Sequence, residues 1–166
     1  MQARLVPYAA LSQLQVAHLK RLEVRPEQLD ASGDIESALY TLLNRPAPGI
    51  RGFALLVDDR PVAFLLLKRP PFLPLWADEN AASLHAFQVD WRFQGRGLGR
   101  ACLQALPGVA RGAWPEITQL MLSVDPHNQV ALNLYLSQGW VDCGEAYRSK
   151  FGYERKLVLA LSTVMA

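Results

Sequence analysis

A glycine-rich turn, QGRGLG at residues 94–99, most constrains the fold of this chain, because it joins a predicted strand to a predicted helix. The preceding segment, Ser83–Val89, has the period-two pattern of a strand, which places four side chains on one face: Ser83, His85, Phe87 and Val89. After the turn, apolar residues recur at helical spacing, namely Leu98, Ala101, Cys102, Ala105, Leu106 and Val109. The sequence therefore predicts a strand, a tight glycine loop and an amphipathic helix in succession.

Glycines in such a loop let backbone N–H groups point outward together and approach a ligand without obstruction by Cβ atoms. At a helix N-terminus these groups carry partial positive charge, so a pyrophosphate is the natural ligand. The alternative is an ordinary strand-to-helix turn that binds nothing. The GxGxxG dinucleotide fingerprint is excluded, since Arg100 stands where its last glycine would be, and no GxxxxGK[ST] phosphate loop occurs.

Composition limits the classes of protein to which the chain can belong. Its 166 residues predict one domain, residues 1–166. The 17 basic and 15 acidic residues nearly balance, which argues against nucleic acid as a partner. The longest apolar stretches fall far short of the ~20 residues that cross a bilayer, so no membrane partner is expected.

The cysteines and histidines favour a reduced protein without a metal site. Cys102 and Cys143 form no CxxC motif, which indicates packed thiols in a cytoplasmic protein rather than a disulfide framework. The N-terminus lacks the apolar core of a signal peptide, and the three histidines lack metal-ligand spacing.

The remaining elements give the order β-α-α-β-β-β-α-β-α-β-β, which predicts an α/β fold with a mixed sheet. A hairpin is predicted from Phe53–Val57 and Val62–Lys68. The glycine-loop helix is expected to break or kink at Pro107-Gly108, with Val109–Trp114 as a second segment. The other predicted elements are a strand at Leu5–Pro7, a helix capped by Ser12, a helix from Ser32 that stops by Asn44–Pro46, a strand at Gln119–Val124, a helix at Gln129–Ser137 capped by Asn128, and strands at Trp140–Gly144 and Glu154–Leu161.

Two segments together resemble a known family. Residues 89–99 (VDWRFQGRGLG) resemble the acetyl-CoA pyrophosphate loop of the GNAT N-acetyltransferase superfamily, whose pattern is [QR]-x-x-G-x-[GA]; its fixed positions are filled by Gln94, Gly97 and Gly99. Residues 125–140 (DPHNQVALNLYLSQGW) are similar to the N-x-x-A-x-x-x-Y-x-x-x-G-[FW] segment of the same family. Both occur in the family's order, and the resemblance covers nearly the whole chain.

The resemblance implies a mixed, mostly antiparallel sheet with helices on both faces and a splayed central strand pair. It implies acetyl-CoA as cosubstrate, with the backbone of Phe87 and Val89 and the side chain of Asn128 along the pantetheine arm. At the pyrophosphate it implies contacts from a run of residues: Gln94, Gly95, Arg96, Gly97, Leu98, Gly99 and Arg100. The arginines are also compatible with solvated surface, and Asn128 with a simple helix cap.

The resemblance also supplies catalytic candidates. Tyr135 occupies the position of the family's general acid near the cofactor sulfur, where a phenol can donate a proton to a thiolate; a core aromatic is the alternative. Family members often carry a carboxylate that serves as the general base on the strand before the loop. On that face of the strand this chain offers only Ser83 and His85. His85 is therefore the candidate base, against the alternatives of a structural histidine and a chain of waters.

The acceptor is expected to be the primary amine of a small molecule, acetylated in a ternary complex. Residues 22–30 (LEVRPEQLD) resemble the acceptor-lining segment of polyamine-type acetyltransferases, and aromatics in the loop at 146–153 and near Trp76 suit a small ligand. Carboxylates that could attract a cationic amine, or that are ordinary surface charges, are Glu23, Glu27, Asp30 and Glu145. The alternatives are acetylation of a protein N-terminus or lysine, and a non-catalytic acyl-CoA-binding module; the resemblance also allows a homodimer.

Overall fold

A computed structural model describes residues 2–29, 33–43, 48–150 and 152–161, without the side chains of Glu27 and Leu43. Its elements follow the predicted order of strands and helices. The helices are α1 (Gln13–Leu19), α2 (Ile35–Leu43), α3 (Leu98–Ala113) and α4 (Gln129–Ser137). The strands are β1 (Ala3–Pro7), β2 (Ile50–Val57), β3 (Arg60–Lys68), β4 (Ala81–Val89), β5 (Gln119–Val124), β6 (Val141–Ser149) and β7 (Gly152–Ala160). The predicted start of α2 at Ser32 and its predicted stop at Asn44–Pro46 lie outside the described residues.

The seven strands form one sheet in the order β1-β2-β3-β4-β5-β7-β6. All neighbouring strands are antiparallel except β4 and β5, which are parallel. These two pair over only three residues each, Ala81–Ser83 with Gln119–Met121, and then separate. The predicted α/β fold, with a mixed, mostly antiparallel sheet and a splayed central strand pair, is therefore confirmed.

Helices cover both faces of the sheet, as predicted. On one face, α3 and α4 pack over a large apolar cluster that includes Leu65, Leu106 and Tyr135. On the other, α1 and α2 pack over a smaller cluster that includes Leu19 and Phe64. Phe64 and Leu65 are neighbours in β3, yet they lie in different clusters because successive strand residues point to opposite faces. Each such buried side chain contributes about 1.5–3 kcal/mol of burial free energy.

Two local predictions are confirmed by backbone geometry. The β2–β3 hairpin turns at Asp58 and Asp59, whose φ values of 49° and 67° give the two-residue turn that matches the twist of paired strands. Helix α1 begins at a capping box, in which the Ser12 hydroxyl accepts from the Gln15 N–H at 3.1 Å and the Gln15 side chain accepts from the Ser12 N–H at 2.9 Å.

Strand β4 contains a bulge at Ala86. Its φ of 53° is a positive value that residues with a Cβ rarely adopt. On one side of the bulge Leu66 of β3 pairs with His85, and on the other Phe64 pairs with Gln88. One residue of β3 thus faces two of β4, and the alternation of β4 side chains shifts by one position.

The bulge overturns the prediction that four β4 side chains share a face. Ser83 and His85 lie on the α1–α2 side, because His85 pairs with Leu66, which belongs to the smaller cluster. Phe87 and Val89 pack instead against the larger cluster beneath α3 and α4. The prediction is wrong beyond His85, since period-two counting assumes an unbroken ladder.

Helix α3 runs without interruption through Pro107, so the predicted break at Pro107-Gly108, with a separate segment at Val109–Trp114, is wrong. A proline in a helix interior costs about 3 kcal/mol because it removes one hydrogen bond and crowds the preceding turn. Here the apolar face continues across it, with Leu106 and Ala110 both fully buried. Burial on both sides of Pro107 offsets the local cost.

The segment expected to be a loop at 146–153 is instead the end of a hairpin. Residues up to Ser149 belong to β6, and Gly152 opens β7 directly afterwards. Phe151 lies outside the described residues. Both strands extend past the predicted ends because their mutual hydrogen bonds, not side-chain pattern, define the ladder.

Among the described residues, no helix is long and apolar enough to cross a membrane. The same residues include no group of three or more histidine, cysteine, aspartate or glutamate side chains placed to hold a metal ion.

Candidate active site

The candidate site lies where β4 and β5 separate. Their carboxyl ends point to the same edge of the sheet, because the two strands are parallel. The glycine loop and the N-terminus of α3 follow β4, and Asn128 and the N-terminus of α4 follow β5. The sheet thus opens a gap flanked by two helix N-termini, each carrying partial positive charge.

The glycine loop presents bare backbone to this region. Gly95 and Gly97 have φ values of 81° and 76°, and Gly97 is the N-cap of α3. A Cβ atom built on either would meet no atom of the described residues within 4 Å, so their backbone is open to a ligand. At Gly99 a Cβ would lie 3.1 Å from Leu134 Cδ2, so this glycine permits close approach of α3 and α4. The loop fits the pyrophosphate of acetyl-CoA on these grounds.

The side chains of the loop are disposed in different ways. Leu98 is buried in the larger cluster, so only its backbone faces the loop, and Arg100 is exposed on α3. The Arg96 guanidinium lies 5.4 Å from the centroid of the Phe93 ring. The Gln94 amide donates to the Val89 carbonyl at 3.0 Å and to Gln28 Oε1 at 3.1 Å, so this side chain braces the loop from within.

A buried carboxylate that the sequence prediction missed holds the start of the loop. Asp90 is 3% exposed, and its two oxygens accept from the Arg92 guanidinium at 2.9 and 2.7 Å. Arg92 also donates to the Arg21 carbonyl at 3.1 Å, and the pKa of Arg92 is raised chiefly by its hydrogen bond to Asp90. Only the position of an acidic residue directly after a buried strand could have signalled this role.

The predicted acceptor segment, residues 22–30, packs against the glycine loop over its described part. The Trp91 N–H donates to the Glu23 carbonyl at 2.8 Å, and the Trp91 indole donates to Glu23 Oε2 at 3.4 Å. The Arg25 guanidinium lies 5.9 Å from the centroid of the Trp91 ring. Asp30 and the side chain of Glu27 lie outside the described parts of the structure.

Tyr135 projects from α4 into the larger cluster. Its ring centroid lies 6.4 Å from that of Phe87 and 5.8 Å from that of Trp140. Burial, with a smaller contribution from Cys102, raises the pKa of the phenol, so the hydroxyl stays protonated at neutral pH. The predicted cap at Asn128 is present, with Oδ1 accepting from the Ala131 N–H at 3.4 Å.

His85 lies across the sheet from Tyr135, on the α1–α2 face. Its Nε2 is 2.6 Å from the fully buried Ser83 hydroxyl oxygen. Burial, followed by the charge of Lys68, lowers the pKa of His85 to about 4, so the imidazole is neutral near pH 7. Gln88 is 3% exposed on the same strand, and its Oε1 has no partner among the described residues.

The sequence matches the model of the Acetyltransferase (GNAT) family over residues 9–140. The chain belongs to the GNAT acetyltransferase family. It is an acetyl-CoA-dependent N-acetyltransferase, and acetyl-CoA is its cosubstrate. Among curated proteins the sequence finds no match.

Solved structures of other acetyltransferases share this GNAT fold. An acetyltransferase from Thermus thermophilus is 24% identical, with a TM-score of 0.68 over 97% of this chain and 98% of that one. An aminoglycoside acetyltransferase in complex with coenzyme A is 16% identical, with a TM-score of 0.73 over 96% and 95% of the two chains. The ribosomal-protein-S18-alanine N-acetyltransferase from Escherichia coli is 21% identical, with a TM-score of 0.59 over 99% and 96%.

Proposed function

We propose that this GNAT enzyme transfers the acetyl group of acetyl-CoA to the primary amine of a small molecule, by direct attack in a ternary complex. The observation that carries the proposal is the gap between β4 and β5. The glycine loop lies at its edge, Tyr135 lies on one face of the sheet and His85 on the other. A gap between strands is the place where groups on opposite faces can reach one substrate.

In this proposal the backbone holds the cofactor. The N–H groups of residues 95–99 bind the pyrophosphate at the α3 N-terminus, assisted by the side chains of Arg96 and Arg100. Beyond Ser83, β4 has no paired neighbour on the β5 side among the described residues, so the backbone near Phe87 and Val89 can bind the pantetheine arm as a strand would. Asn128 caps α4 and lies at the opposite wall of the gap.

Tyr135 acts as the general acid. Its raised pKa keeps the proton on the phenol, and the hydroxyl makes no hydrogen bond within the described part of the chain. As the new C–N bond forms and the C–S bond breaks, Tyr135 gives its proton to the departing sulfur. Packing of its ring against Phe87 and Trp140 fixes the position from which the proton is given.

His85 acts as the general base. It is neutral at physiological pH because of its lowered pKa, so a ring nitrogen is available to accept the proton that the attacking amine loses. The pKa of about 4 makes it a weak base, and in this proposal the proton reaches it through a water. Ser83 fixes the orientation of the ring through the 2.6 Å contact.

We propose that the acceptor amine binds beside the segment at 22–30, whose described part rests on the glycine loop and carries Glu23. The fold shared with an aminoglycoside acetyltransferase is compatible with a small polyamine-like acceptor. The fold shared with a ribosomal-protein alanine acetyltransferase is equally compatible with the second candidate, acetylation of a protein N-terminus. We take residues 1–166 as one acetyltransferase domain, since the sheet is continuous from β1 to β7.

The test is the release of coenzyme A thiol from acetyl-CoA in the presence of polyamines, aminoglycosides, amino acids and peptides with free N-termini. We expect turnover with one of the small amines and none with peptides. Turnover restricted to peptides would overturn the choice of a small acceptor while leaving the acetyltransferase itself in place. Acetyl-CoA hydrolysis without acceptor is the control reaction.

A further inference from the structure

An open cavity of about 520 Å³ lies between the β2–β3 turn and the glycine loop. Its lining comes from both segments: Val57, Asp58, Arg60, Val62, Phe93, Arg96 and Leu98. Arg60 opens β3 and belongs to none of the sequence motifs of the family. The cavity therefore brings a cation of the hairpin next to a cation of the loop.

The two cations share one aromatic ring. The guanidinium carbons of Arg60 and Arg96 each lie 5.4 Å from the Phe93 ring centroid, within the range of a cation–π contact. Both side chains are exposed, and within the described part of the chain neither is in an ion pair. Two positive charges outside any ion pair thus line one cavity, which favours binding of an anion from solution.

The rest of the lining defines the kind of anion. Val62 and Leu98 are buried apolar residues, so the arginines and Asp58 supply the charged groups of the lining. Two guanidinium groups present several N–H donors in planar forks, a geometry that suits the oxygens of a phosphate group. Asp58, in the hairpin turn, is the opposing charge at the cavity and weakens the binding of any anion there.

We propose that this cavity binds a phosphate monoester group through Arg60 and Arg96. The proposal does not depend on which amine the enzyme acetylates. The same chemistry has two sources, the 3′-phosphate of acetyl-CoA and a separate phosphorylated small molecule, and the experiment distinguishes them.

The primary measurement is the affinity for inorganic phosphate in the absence of acceptor. It is obtained by titration, from the changes in the amide chemical shifts of Val62 and Leu98. In Arg60→Gln we expect the affinity to fall by about fivefold or more, because a charge-assisted contact is lost. In Asp58→Asn we expect the phosphate affinity to rise by roughly twofold to fivefold, and asparagine tolerates the positive φ at this turn.

Arg148→Gln is the matched control. The Arg148 guanidinium also lies over an aromatic ring, 6.0 Å from the centroid of Tyr153, but on β6. Its phosphate affinity should equal that of the unsubstituted enzyme.

The source of the phosphate follows from the KM values for acetyl-CoA and acetyl-3′-dephospho-CoA. A rise in the KM of Arg60→Gln for acetyl-CoA alone identifies the cofactor's 3′-phosphate, and unchanged values for both identify a separate ligand. Absence of phosphate binding, or equal affinity in Arg60→Gln and the unsubstituted enzyme, overturns the proposal whatever the KM values are. Because this measurement needs no acceptor, its failure is distinct from failure of the proposed acetyl transfer.

Discussion

The Nε2 atom of His85 lies 2.6 Å from the hydroxyl oxygen of Ser83. The two residues are two positions apart on β4, before the bulge, so they share the sheet face that α1 and α2 cover. Ser83 is fully buried, and the half-buried Lys68 adds a positive charge near the imidazole. These surroundings favour the neutral form of His85, so protonation of the ring lowers the free energy of unfolding.

We predict that His85 makes the fold sensitive to acid. The pKa of His85 is lowered to about 4 in the folded protein, below its ordinary value of 6.5, so the unfolded chain takes up the proton first as pH falls. Stability should therefore decline between about pH 6.5 and 4, by roughly 3 kcal/mol from this group. Urea denaturation of the unsubstituted protein and of His85→Gln, at several pH values, measures the difference.

In that comparison His85→Gln should lose less stability than the unsubstituted protein over this interval. His18→Gln, at a half-buried histidine of α1, is the matched control. If the free energy of unfolding depends on pH in the same way for His85→Gln and for the unsubstituted protein, the fold does not favour the neutral form of His85.

A second prediction concerns the phenol of Tyr135. Tyr135→Phe keeps the ring contacts with Phe87 and Trp140 and removes only the hydroxyl. Loss of a general acid should reduce kcat by about 100-fold or more, while the dissociation constant of acetyl-CoA changes little. Steady-state thiol release and a direct binding measurement separate the two quantities. Unaltered kcat at saturating acetyl-CoA would remove Tyr135 from the chemistry and leave it as a core aromatic.

A third prediction distinguishes glycines by their backbone. Gly97→Ala places a Cβ at a φ of 76°, which costs about 1–2 kcal/mol of stability, and adds a methyl group to the proposed pyrophosphate loop. We expect a roughly tenfold rise in the KM for acetyl-CoA, because the strained backbone shifts an N–H group out of charge-assisted contact with the pyrophosphate. Gly108→Ala lies inside α3, and no atom in the described part of the chain comes within 4 Å of the new Cβ. It should instead stabilise the protein by about 0.5–1 kcal/mol and leave the KM unchanged. Thermal denaturation and kinetics of both variants test the pair.

A fourth prediction concerns the contact between the glycine loop and the segment at 22–28. The Gln94 amide links the loop to this segment, because it donates to the Val89 carbonyl and to Gln28 Oε1. Gln94→Ala should cost about 1–2 kcal/mol and raise the KM for acetyl-CoA and for the acceptor together. Gln104→Ala, at an exposed glutamine of α3, is the control and should change neither. An effect on acetyl-CoA alone would show that the acceptor segment is not coupled to the loop.

Local chemistry made much of the fold predictable. The hairpin around residues 58–61 follows from a polar turn between two apolar strands. The caps at Ser12 and Asn128 follow from side chains that accept from backbone N–H groups of their own helices. The period of apolar residues located α3, whose core face begins at Leu98. Such features need only neighbours in sequence.

What the sequence did not reveal depends on distant partners. Nothing about Ala86 signals a bulge, because the extra residue is set by how β3 and β4 align. The path of α3 through Pro107 depends on burial against the sheet, which the proline rule alone ignores. Likewise, the contact of Arg60 with Phe93 joins two segments that are distant in the chain. The pair of Asp90 and Arg92 forms because the Arg92 side chain turns back toward the residue two positions before it.

The bulge at Ala86 works as a phase shift within a single strand. If Ala86 instead took regular strand geometry and paired with β3, strict alternation would return and every residue downstream on β4 would change faces. Phe87 would then leave the ring of Tyr135, while Gln88 would turn toward α3 and α4. One alanine thus keeps the two halves of β4 out of step, and the chemistry proposed for the two sides of the sheet depends on that mismatch.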